Sequence, residues 1–94
     1  MSRVDFLVEK AQNFKVFLSN YSPAPEVALY MDGFNPAMVL PTVMSVVVPI
    51  VKAGKTESAV RDLMAKLTIP GEERAAVAAK IQRYLECFAE VATA

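Results

Sequence analysis

Residues 34–51 read FNPAMVLPTVMSVVVPIV, and this stretch decides how the rest of the chain must fold. No charged side chain falls between Asp32 and Lys52, so residues 33–51, 19 in a row, need shelter from water or a place in lipid. Val39, Thr42, Val43, Val46, Val47, Val48, Ile50 and Val51 are β-branched and would suit a strand. Pro41 and Pro49 each remove a helix hydrogen bond, at about 3 kcal/mol or more in a helix interior. Yet no other segment alternates apolar and polar residues, so a strand here has no sheet to join. The stretch therefore reads as a buried helix bent at one or both prolines, with two short helices meeting near Val48–Pro49 as the alternative.

The flanks supply amphipathic partners for it. Ser2 is placed to cap a helix over 3–20, in which Val4, Leu7, Val8, Ala11, Phe14, Leu18 and Tyr21 keep one face apolar. Phe6 and Phe17 widen that face. Ser22-Pro23-Ala24-Pro25 stops the helix, because a proline disfavours a helical residue before it. A short helix over 26–32 is predicted next, ended by Gly33. After the uncharged stretch, Gly54 is the expected stop and Thr56 the expected cap of a helix over 57–67. Its apolar face is Val60, Leu63, Met64 and Leu67, with acid-before-base pairs Glu57–Arg61 and Asp62–Lys66 alongside. The last helix, predicted over 72–91, carries Val77, Ile81, Tyr84, Phe88 and Val91 at heptad-like spacing. The fold class read from this pattern is all-α: one domain over 1–94, a small four- to five-helix bundle around a Pro-bent hydrophobic central helix.

Ninety-four residues can bury only about 60–65% of the surface of the unfolded chain, and 54% of these residues are hydrophobic. Surplus apolar surface on a small domain points to an interface or a membrane contact. Ten basic and ten acidic residues cancel and no basic run occurs, which disfavours nucleic acid as a partner. The opening MSRVDFLVEKAQ has acids among its apolar residues and lacks the core of a secretory signal. Cys87 is the only cysteine, so no internal disulfide forms, and the simplest compartment is a reducing, intracellular one. Arg83 beside Cys87 could lower the thiol's pKa, but no other group converges on it in sequence, and it reads as an inert thiol.

Candidate chemistry is sparse. Histidine is absent, which removes imidazole-based triads and the commonest zinc and haem ligands. Pro49-Ile-Val-Lys-Ala-Gly54-Lys55-Thr56 matches the second half of a phosphate-cradling loop, but Pro49 stands where the motif needs its first glycine. Glu72–Glu73 suit a helix start, and Glu86–Glu90 lie four apart on a solvated face, so neither pair reads as acid/base machinery. No catalytic, metal or cofactor site is expected, and no small-molecule ligand is implied.

The expected role is a non-catalytic protein–protein interaction or structural module, a subunit of a larger assembly such as a homo-oligomer, scaffold or virion component. Phe6, Phe17, Tyr30, Met31 and Phe34 are the residues expected at its interface with a protein partner or a second copy. One alternative is a small integral membrane protein with a single span at about 34–51, since 19 helical residues reach about 28 Å against a ~30 Å hydrocarbon core. Against that span stand its three prolines and its polar residues Asn35, Thr42 and Ser45. The other alternative is a helical DNA-binding regulator using 57–91, in which Glu72 and Glu73 would sit at the reading end and repel phosphates.

Overall fold

The computed structural model describes residues 2–21 and 37–94, and every regular element among them is helical. The predicted helix over 26–32 lies outside the described residues. Helix α1 spans Arg3–Ser19. Its start is fixed as the sequence predicts: the Asp5 amide donates to Ser2 Oγ at 3.1 Å. Helix α2 spans Val39–Lys52, the heart of the uncharged stretch. Helices α3 and α4 span Thr56–Met64 and Arg74–Thr93, the latter preceded by a 3₁₀ turn over Gly71–Glu73.

Helix α2 is not uniform. It runs as α-helix over Val39–Thr42, as a π turn over Val43–Val47, and as α-helix again over Val48–Lys52. Pro41 falls in the first turn, where its missing N–H would have had no intrahelical partner. Pro49 is the costly one, because its ring would meet the Ser45 carbonyl in a regular α-helix. The π turn directly ahead of it, with the Val48 amide donating to the Val43 carbonyl five residues back, widens the spiral at that point. Gly54 then ends the helix at φ +70°, a left-handed conformation that glycine adopts without strain.

Helices α2 and α4 each touch all three other helices, while α1 and α3 flank them. The core is one cluster: Leu7, Ala11, Phe14 and Leu18 from α1; Val39, Val43, Val47 and Val48 from α2; Val60, Leu63 and Met64 from α3. Helix α4 adds Val77, Ile81, Leu85, Phe88, Ala89 and Ala92. The buried line of α4 thus runs 77, 81, 85, 88, 92 rather than along the predicted seam. Tyr84 and Val91 sit half-buried at its edge, because a helix packed against three neighbours follows the 3.6-residue period and not the coiled-coil one.

Two boundaries also differ from expectation. Thr56 is the first residue of α3 and not its cap; Lys55 holds the cap position and contributes no side-chain hydrogen bond. Helix α3 ends at Met64 rather than Leu67, since the amides of Lys66 and Leu67 turn back onto Leu63 and Met64 three residues earlier. The next amide, Thr68, donates to the Tyr21 carbonyl at 2.8 Å and ties the α3–α4 connection to the end of α1. At the other end of α1 the Arg3 guanidinium donates to the Ala92 and Ala94 carbonyl oxygens at 3.3 and 3.1 Å. A cation at the end of a helix also suits its dipole.

The two described glycines should respond oppositely to the same change. A Cβ at Gly54 or Gly71 meets nothing within 4 Å, so only backbone conformation separates them. Gly54→Ala is expected to destabilise by about 1–2 kcal/mol through left-handed strain. Gly71→Ala, at negative φ, is expected to be neutral or to stabilise by about 0.5 kcal/mol through the unfolded chain. Denaturant melts of the two single variants check this.

Candidate functional site

Two surfaces have features that folding alone does not require. The first is the outer side of α2. Val39, Val43 and Val47 point inward, Val47 being only 2% exposed, while Met44 and Val46 are 45% and 43% exposed. Pro41, Ser45 and Pro49 share that outer side. In an unbroken α-helix Val39, Val43, Val46 and Ile50 would fall on one line. The π turn shifts the register by one residue, so Val47 and Val48 turn into the core and Val46 turns out. The result is an apolar arc with no charge from Ala37 to Val51. Over the described residues 37–51 the uncharged stretch is therefore sheltered on one side only. Sequence periodicity could not locate this face, because a π turn leaves no spacing signature in a run of valines.

The second surface is an open groove between α1 and α4, with a volume of about 230 Å³, lined by Lys10, Lys80, Arg83, Tyr84 and Cys87. Lys80, Arg83, Tyr84 and Cys87 recur at three- and four-residue spacing, so one face of α4 presents all four, and Lys10 faces them from α1. Beside the groove the two helices are joined by stacked rings. Phe14 lies 4.8 Å from Tyr84 and 5.8 Å from Phe88, and Phe17 lies 6.0 Å from Tyr84 and 5.5 Å from Tyr21. These are offset and edge-on arrangements of the kind aromatic pairs prefer.

Of the residues expected at an interface, Phe6 and Phe17 both lie half-buried on α1, beside this groove rather than on α2. The Lys10 ammonium sits 5.3 Å from the centre of the Phe6 ring, and the Lys80 ammonium 4.6 Å from that of Phe17. Phe17 also packs against the core. Tyr30, Met31 and Phe34 lie outside the described residues. Glu57 and Arg61 form the expected pair at 3.8 Å, with both side chains well exposed, so its contribution to stability is slight.

No single helix among the described residues is long and apolar enough to cross a membrane. Val39–Lys52 and Thr56–Met64 reach that length and composition only together, across a bend of 115°. Among the described residues, no group of three or more His, Cys, Asp and Glu side chains is arranged to hold a metal ion. Comparison with protein-family models, with curated proteins and with solved structures finds no match.

Both described tyrosines hold their protons more tightly than a free phenol. Burial pushes Tyr84 up; burial, then the nearby Glu73 charge, then a hydrogen bond from the Tyr21 hydroxyl to Glu73 Oε1 at 3.4 Å push Tyr21 up. A raised folded-state pKa means that the folded form favours the neutral phenol. That preference is intact below the ordinary value near 10 and is lost as pH rises through the folded value. Stability should accordingly fall on the alkaline side, above about pH 10. Tyr84→Phe should flatten that fall, which thermal melts between pH 8 and pH 11 would detect; an unchanged slope would contradict the assignment.

Proposed function

We propose that this chain is a non-catalytic interaction module, a single domain that works as one subunit of a larger assembly and docks through the outer side of α2. The observation that carries the reading is the exposure of Met44 and Val46 within an arc that has no charge. An uncharged apolar face on a domain this small costs solubility unless something covers it. Protein is the preferred partner, either a second copy or another chain. The bundle that serves this role is organised around α2, bent at Pro49, with the π turn as the device that absorbs the proline. A lone free thiol supports an intracellular setting, in the cytoplasm or within an assembled particle.

The test is molar mass by light scattering without detergent, on the parent chain and on Val46→Asp. The parent chain is expected to form a defined oligomer. The variant places a charge on the outer side, and it should dissociate that oligomer while keeping its helical circular dichroism and its melting temperature within a few degrees. Val47→Asp, one residue on, would bury the charge and should unfold the domain, at a cost of several kcal/mol. A parent chain that is monodisperse and monomeric sinks self-association. Insolubility relieved only by detergent would favour lipid as the covering phase.

A further inference from the structure

We propose that the groove between α1 and α4 is a binding site for a phosphate-bearing anion, held by Lys10, Lys80 and Arg83. The chain is neutral overall, so three cations around one open cavity are a local concentration of charge and not a reflection of composition. Among the described residues, no acid lines the cavity. Glu9 and Glu86 are close in sequence, yet the one ion pair within 4.0 Å among the described residues is Arg61–Glu57, on α3. Three like charges gathered around one cavity repel one another, and a bound dianion relieves that repulsion.

The side chains are also held in place. The Lys10 and Lys80 ammonium groups rest on the Phe6 and Phe17 rings, which restrains two long, flexible side chains. Arg83 supplies a planar fork that matches two phosphate oxygens. Tyr84 lines the same cavity, and its phenol, neutral at physiological pH as an ordinary tyrosine's is, can donate a hydrogen bond. A volume of about 230 Å³ is below the range of drug-sized pockets and is suited to a phosphate or phosphomonoester headgroup. The anion's source is either a soluble phosphate compound or the headgroup of an anionic lipid, and the chemistry at the groove is the same for both.

The experiment follows backbone amide shifts in ¹⁵N-labelled full chain as inorganic phosphate is added at constant ionic strength. Sedimentation with phosphatidylcholine vesicles, with and without phosphatidic acid, provides the second arm. Saturable shifts centred on Lys10 and residues 80–87 are expected, and they should weaken about tenfold or more in Lys80→Gln/Arg83→Gln, which replaces two exposed side chains. Lys52→Gln/Lys55→Gln, at the end of α2, should bind phosphate as the parent does. Saturation by inorganic phosphate alone identifies a soluble source; phosphatidate-dependent sedimentation lost in the groove variant identifies a lipid one. An independent readout on the parent chain is alkylation of Cys87 by neutral iodoacetamide, which phosphate should slow and sodium chloride at equal ionic strength should not. The proposal is overturned if neither arm shows binding, or if the groove and control variants lose it equally.

Discussion

The all-α fold depends on the wedge of Phe14 between Tyr84 and Phe88. Phe14 belongs to the first helix and its two partners to the last, so this contact closes the whole chain on itself. Phe14 and Phe88 are the two largest fully buried side chains among the described residues. Joining residues this far apart in sequence carries a loop-closure cost that grows only slowly with length, while each buried ring contributes about 2–3 kcal/mol. The wedge is reinforced at both ends: by the Arg3 guanidinium on the last carbonyls of α4, and by the Thr68 amide on the Tyr21 carbonyl. With α1 and α4 locked, α2 and α3 have a fixed surface to pack on.

How much of this was readable without coordinates depends on whether a feature is local. The caps and stops were readable where one residue decides them: Ser2 because its hydroxyl reaches the Asp5 amide, Gly54 because φ +70° needs glycine. The α1 face was readable because Leu7, Ala11, Phe14 and Leu18 repeat at plain helical spacing. The buried line of α4 lies a fraction of a turn from the seam that the spacing predicts. Tyr84 and Leu85 are both apolar enough to be core residues, and only the position of the neighbouring helices decides that Leu85 goes in and Tyr84 to the edge. Neither surface described above was legible. The groove takes Lys10 from one end of the sequence and its other cations from the opposite end. The outward face of α2 depends on a register shift inside a run of valines that look alike.

That register shift also explains why Pro49 is tolerated in a helix. A proline in a regular interior turn costs about 3 kcal/mol or more, through a lost hydrogen bond and a clash with the carbonyl four residues back. A π turn placed just before it widens the spiral where the clash would fall, at the cost of poorer hydrogen-bond geometry over five residues. The alternative would be a full break, with two short helices and their unsatisfied backbone groups facing the core. Because Val47 and Val48 are as apolar as Val46, rotating the helix by one residue loses no burial. The valine run therefore makes the shift affordable, and uniform side chains are what allow an irregular backbone.

The same reasoning separates the two surfaces physically. The outer side of α2 is uncharged and apolar, so any partner proposed for it would bind with little sensitivity to salt and in proportion to the area covered. The α1–α4 groove is cationic and small, so any anion it holds should be released as ionic strength rises. Helix α4 contacts both: its apolar line supports α2 from within, and its polar line of Lys80, Arg83 and Cys87 faces the groove. A ligand in the groove would neutralise charge on α4 without touching the α2 arc, and a partner on the arc would cover Val46 without reaching Arg83. Were both proposed contacts to form, salt alone would separate them, because only the groove would exchange counterions.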